Sequence, residues 1–308
     1  NILKELDKLE EAELSTRKAI EINPGYTDAY NNLGIILKDL GKSKQAEFYL
    51  RKAIELNPKI ALLHYNLGNI LRDLGKLKEA KLSTINAVEL NSNYDEAYNN
   101  LGLILNELGE LKDAEISQRN AIRIKPKFAD YYFNLGNILR GLGKLKEAEI
   151  SQRKAIELKP DFLKAHINLG IILNELGQFK DAKIATLQAL QLDPNSIEAC
   201  INHGIILRES SLFEELNYIY KINEKKWKND LYFYSTFKLL FSRIVLDNND
   251  IDKQRKDYKS AISEINKNYK DFFLRFDYEF PIDMFYLAYH NRFDDKSILE
   301  DLANSLSK

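Results

Sequence analysis

Every 34 residues the chain returns to the same three letters: Asn32-Leu33-Gly34, Asn66-Leu67-Gly68, Asn100-Leu101-Gly102, Asn134-Leu135-Gly136 and Asn168-Leu169-Gly170, with a weaker copy at Asn202-His203-Gly204. The rest of each unit keeps step. Gly41, Gly75, Gly109, Gly143 and Gly177 follow at one offset, then Ala46, Ala80, Ala114, Ala148 and Ala182, then Ala53, Ala87, Ala121, Ala155 and Ala189. Pro58, Pro126, Pro160 and Pro194 close their units, and Ser92 stands in once. A fixed period of this length means that one small supersecondary unit is stacked on copies of itself.

The residue types explain what that unit is. Leu33, Ile36, Leu37 and Leu40 recur at spacings of 3 and 4, which places them on one face of a helix. Gly34 and Ala46 leave no bulk where two helices must approach closely. Gly41 supplies the permissive backbone that ends the first helix, and Pro58 stops the second. One helix pair cannot cover its own apolar face, so neighbouring pairs stack into a continuous core. The expected fold class is all-α: a solenoid of helix pairs with a C-terminal helical cap domain.

At these positions the sequence resembles the tetratricopeptide repeat family, whose Leu-Gly, mid-repeat Gly, two Ala positions and terminal Pro it matches across residues 27–196. The resemblance implies a right-handed superhelix with a concave groove lined by the first helix of each pair. Residues 27–196 hold five full repeats. Within residues 1–26, Leu3, Ala12, Ala19 and Pro24 sit at the offsets of the back part of a further repeat, so the protein is expected to extend beyond Asn1. Residues 197–229 form a degenerate capping repeat, in which Ser211 replaces the mid-repeat Gly, Leu216 and Asn223 the packing Ala residues, and His203 a core Leu. Alternate repeats are more alike than adjacent ones: Leu67 to Arg72 matches Leu135 to Arg140, and Asn99 to Glu107 resembles Ile167 to Glu175. This points to duplication of a two-repeat block.

Composition changes after the array. All 13 Gly residues lie at or before Gly204, and residues 230–308 are dense in aromatics such as Tyr232, Phe233, Phe237, Phe272, Phe276 and Phe285. Helices are expected near 231–246, 251–270 and 296–306, with aromatic side chains packing their core. The run Phe285-Tyr286-Leu287-Ala288-Tyr289-His290 resembles the junction between tetratricopeptide arrays and the glycosyltransferase halves of SPINDLY-type proteins. That resemblance implies a nucleotide-sugar-dependent catalytic part beyond Lys308, outside this chain.

The expected binding surface follows from the repeat. Asn32, Asn66, Asn100, Asn134, Asn168 and Asn202 occupy one position in six successive units, on the face opposite the buried Leu-Gly-Ile-Leu set. Each amide offers both a donor and an acceptor, which suits a peptide main chain whatever its sequence. The arrangement resembles the asparagine ladder of the O-linked N-acetylglucosamine transferases, which implies a groove that holds extended substrate protein. Asn69, Asn137, Arg72 and Arg140 lie further along the same face and complete the candidate peptide-binding set. A carboxylate clamp for acidic C-terminal tails needs cations at Asn31, Tyr65, Asn99, Phe133, Ile167 and Ile201, and none is present there.

The remaining chemistry is expected to be absent. Lys and Arg number 45 against 46 Asp and Glu, so there is no long-range field for nucleic acid or an anionic membrane. No run of about 18 apolar residues exists to span a bilayer. The lone Cys200 cannot form an internal disulfide, which fits a reducing compartment and a cytoplasmic location. Gly41-Lys42-Ser43 lacks the upstream Gly of a phosphate-binding loop, Asp247 to Asp252 lacks the Gly and Glu of a calcium loop, and the histidines are not paired for zinc. The reading is a protein that binds protein or peptide clients, with no catalytic residue, metal or cofactor of its own. The alternative is the substrate-recruiting arm of a protein O-glycosyltransferase.

Overall fold

The computed structural model describes residues 8–210 together with positions 212, 215, 216 and 218. The expected helices beyond 230, their aromatic core and the Phe285–His290 run lie outside the described residues, as do the later part of the predicted capping repeat and the start of the partial repeat. Among the described residues there are twelve α-helices and no strand. They are α1 (Leu9–Ile22), α2 (Thr27–Asp39), α3 (Ser43–Leu56), α4 (Ala61–Asp73), α5 (Leu77–Leu90), α6 (Asp95–Glu107), α7 (Leu111–Ile124), α8 (Ala129–Gly141), α9 (Leu145–Leu158), α10 (Leu163–Glu175), α11 (Phe179–Leu192) and α12 (Ile197–Glu209).

Helices of 13 or 14 residues are marginal alone, so their stability comes from the faces they bury. Leu33, Leu37 and Leu50 are wholly buried in a core that continues through Leu67, Leu71 and Ala80 to Ile104. Each such Leu or Ile contributes roughly 1.5–3 kcal/mol on leaving water. Gly34 packs so tightly that a Cβ there would lie 2.7 Å from Leu50 Cγ.

The turn inside each pair is one motif repeated. Gly41 adopts φ 72°, its N–H donates to Lys38 O at 2.9 Å, and the next N–H, of Lys42, donates to Leu37 O at 2.8 Å. These are the two bonds of a Schellman cap, and they require the left-handed conformation that glycine adopts without strain. Gly75, Gly109, Gly143 and Gly177 repeat it. Between pairs the chain turns on Asn23, Asn91 or Asp193, whose side-chain oxygens accept from the N–H two residues on.

The chain packs as two compact units, Asn1–Ala165 and His166–Lys308. In the first, the backbones of successive first helices approach one another, α2 to α4, α4 to α6 and α6 to α8. The second helices are joined by long side chains instead: Arg51 reaches Glu79 at 2.5 Å and Arg119 reaches Glu147 at 2.8 Å. The first-helix side of this unit is therefore its inner side. In the second unit α11 packs on α12, and Gly170 meets Thr186 Cγ2 at 2.5 Å from where its Cβ would stand.

Candidate functional site

On the inner face of the first unit the amides are not independent rungs. Asn66 Nδ2 donates to Asn31 Oδ1 at 2.8 Å, and 68 residues on, Asn134 Nδ2 donates to Asn99 Oδ1 at 2.9 Å. Each bond crosses from one helix pair to the next. It leaves Asn66 and Asn134 a second N–H and an oxygen, on partly buried side chains at the protein surface.

A buried glutamine fixes one of these pairs from behind. Gln118, wholly buried on α7, lies over Gly102 and donates to Tyr131 O at 3.1 Å and to Asn99 Oδ1 at 3.0 Å. With Asn99 Oδ1 accepting from both Gln118 and Asn134, the Asn99 amide is held in one orientation with its N–H groups left to donate. One unit later Gln152 lies over Gly136 and donates to Asn137 Oδ1 and to Phe133 O, both at 3.2 Å.

The structure sorts the sequence-predicted residues. Asn32, Asn66, Asn69, Asn134 and Asn137 sit partly buried on first helices of the first unit. Asn100 does not reach the surface: it is 3% exposed, so equal spacing along the sequence does not give equal exposure. In the second unit Asn168 is partly buried, and Asn202 Nδ2 turns back to Glu198 O at 2.9 Å. Arg72 is engaged with Glu107, its Nε 2.8 Å from the carboxylate, and Lys38 pairs with Asp73 at 3.1 Å. Arg140 is exposed.

Sequence reasoning missed Asn31, Asn99, Gln118 and Gln152. The signal for the glutamines was available in the period: the place of Leu50 in the first full repeat is taken in turn by Thr84, Gln118, Gln152 and Thr186, each opposite a helical glycine. The same face also alternates apolar and amide side chains, Ile35, Asn69, Leu103 and Asn137, all partly buried. Tyr65 and Phe133 pack against Tyr94 and Phe162 with tilted rings, the centroids 5.0 Å apart in both cases.

The ionisable groups of the first unit support the frame. Burial alone would raise Glu47 and Glu115, but hydrogen bonds from Lys76 and Arg51, and from Lys144 and Arg119, hold both carboxyls below their ordinary range. Burial and the hydrogen bond to Asp95, 2.7 Å away, push the Tyr131 phenol up. Among the described residues no group of three or more His, Cys, Asp or Glu is placed to hold a metal ion, and no helix is long and apolar enough to cross a membrane.

Sequence models of the tetratricopeptide repeat match residues 27–60, 49–81, 95–128, 129–162 and 163–196, a little over half of the chain. The chain belongs to the tetratricopeptide repeat family. No curated protein matches it. Among solved structures, this tetratricopeptide chain is similar to YrrB, described as a tetratricopeptide protein with an unusual peptide-binding site, at 24% identity and TM-score 0.52, over 60% of this chain and 95% of that one. It is similar to PilF of Pseudomonas aeruginosa at 19% identity and TM-score 0.57, over 67% and 94% of the two chains. A tetratricopeptide repeat protein from Parabacteroides merdae aligns at 17% identity and TM-score 0.62, over 91% of this chain and 98% of its own. At these identities the likeness is one of fold, and tetratricopeptide folds are generally scaffolds for protein–protein interaction.

Proposed function

We propose that the inner face of the first tetratricopeptide unit binds an extended polypeptide through its main chain. The observation that supports this reading is the pair of bonds between successive helix pairs, Asn66 to Asn31 and Asn134 to Asn99, which lock amides on the surface while leaving donors and acceptors unspent. A peptide backbone presents one donor and one acceptor per residue and meets them without regard to sequence. Ile35 and Leu103 between the amides add apolar contact for side chains of the client. The peptide-binding site named for YrrB accords with this use of the fold.

A photo-crosslinking amino acid placed at Leu103, on the inner face, should capture an uncharged, unstructured peptide. The same label at Ile116, on a second helix, should not. Capture at Ile116 alone would move the site off the inner face.

A further inference from the structure

The outer face carries an apolar ridge that the core does not use. Phe48, Leu82, Ile116 and Ile150 occupy one position in four successive second helices and are 55–68% exposed. A monomer rarely leaves a regular run of large apolar side chains in water without a partner for it. Between these second helices lie two open clefts that are the same place 68 residues apart. One, of about 390 Å³, lies between α3 and α5; the other, of about 430 Å³, lies between α7 and α9. Ile54 and Leu67 line the first, Ile122 and Leu135 the second, with Leu82 and Ile150 at equivalent places.

The polar linings differ. Where the α3–α5 cleft has Glu55 and Asn86, the α7–α9 cleft has Arg123 and Lys154, a change of three positive charges over the same apolar lining. Glu55 is satisfied by Lys52 at 2.6 Å, and Lys154 by Glu157 at 2.5 Å. Arg119 already bonds Glu115 and Glu147. Arg123 makes no ion pair among the described residues, and it stands exposed beside Ile122.

We infer that the α7–α9 cleft is a docking site for an acidic amphipathic helix of a partner protein, separate from the inner face. The occupant places apolar residues at i, i+3 or i+4 and i+7 along the cleft and onto Ile150, and its carboxylates meet Arg123 and the Arg119–Lys154 side. The lining runs from Arg119 to Arg123 on α7 and from Ile150 to Lys154 on α9, about 6 Å of rise along each helix, so the cleft seats an apolar turn or two of the occupant. Charge chooses the partner. A basic helix of the same apolar pattern meets like charge here, and the α3–α5 cleft offers the acidic one no equivalent of Arg123, since Arg51 on its wall is already engaged by Glu47 and Glu79.

The test is fluorescence anisotropy with the full chain and two labelled 18-residue amphipathic helices, Leu on one face and either Glu or Lys on the other. The Glu peptide should bind with one-to-one stoichiometry and at least tenfold more tightly than the Lys peptide, weakening as salt is raised. Arg123→Glu with Lys154→Glu, both at the surface, should reduce Glu-peptide affinity at least tenfold with the far-ultraviolet circular dichroism unchanged. Glu55→Arg with Asn86→Lys should add a second site of comparable affinity. Asn134→Ala on the inner face should leave binding as it was. Equal affinity for the two peptides, or undiminished Glu-peptide binding to the Arg123→Glu, Lys154→Glu variant, would overturn the inference.

Discussion

Lys81 Nζ lies 2.5 Å from Glu110 Oε2, and this bridge is the reverse of its neighbours in the same array. Glu47 pairs with Lys76 at 2.8 Å, and Glu115 with Lys144 at 2.8 Å, each joining a second helix to the turn before the next second helix. Lys81 stands where Glu47 and Glu115 stand in their units, and Glu110 where Lys76 and Lys144 stand. Both charges are inverted together, so the contact survives where the residue types do not. Lys81→Glu should therefore cost about 0.5–1 kcal/mol, since the pair is partly solvated and is set against its partner by the change. Adding Glu110→Lys should recover the loss. A double-mutant cycle read by urea denaturation checks it, and additive losses would mean that the pair contributes nothing.

Gln118 serves the inner face more than the core. Leu50 fills the equivalent space over Gly34, so the site accepts an apolar side chain of similar size. Gln118→Leu should leave stability within about 1 kcal/mol of the original, because an apolar side chain replaces a buried amide that has one unmet oxygen. Affinity for an uncharged extended peptide should nevertheless fall several-fold, as Asn99 loses the bond that fixes its amide. Thermal melts and a peptide titration on the same variant separate the two effects.

The period made most of this architecture legible. Leu33, Gly34, Gly41 and Ala46 announce a buried face, a close approach, a left-handed turn and a second approach, and each is found in that role. The functional face was less legible, because a period in sequence fixes backbone position and not exposure. Asn100 and Asn134 share a register, yet one is buried and the other partly at the surface. The residues that orient the amides, Gln118 and Gln152, sit on the opposite helix of the pair, so no pattern within one helix reveals them. Arg72, expected on the peptide-binding face, pairs with Glu107 of the next repeat, a contact that its own helix does not announce.

Gly136 and Gly143 are required for different reasons, and alanine should tell them apart. A Cβ at Gly136 would stand 2.5 Å from Gln152 Nε2 and 2.9 Å from its Cδ, so Gly136→Ala should displace the glutamine and cost roughly 1–3 kcal/mol. Around Gly143 nothing lies within 4 Å, and only its φ of 72° resists a side chain. Gly143→Ala should cost about 1 kcal/mol, and Gly143→Asn less, because asparagine tolerates the left-handed region. Unfolding free energies of the three variants check the order.

His203 should give the second unit a distinctive response to acid. It is 1% exposed, with Nδ1 2.7 Å from Thr186 Oγ1, and burial, reinforced by nearby Lys183, pushes its pKa down to about 4. Because the folded value lies below the ordinary 6.5, the unfolded state binds the proton first. The stability due to neutral His203 is thus full above pH 6.5 and is lost as the pH falls toward 4, by on the order of 3 kcal/mol. His203→Leu, which restores the residue of the other units, should flatten the melting temperature across that window. Equal acid sensitivity in the variant would place the effect in other groups.

The amide pairs of the inner face are tested most directly by the affinity of an uncharged, unstructured 20-residue peptide of Gly, Ser, Thr and Leu, measured by fluorescence anisotropy. Asn66→Ala with Asn134→Ala removes the two donors that link successive helix pairs, at about 1 kcal/mol of stability each. The account predicts at least a tenfold weaker Kd for a variant whose melting temperature falls by only a few degrees. A Kd unchanged by the double substitution would contradict it and leave Asn66 and Asn134 as structural links between helix pairs.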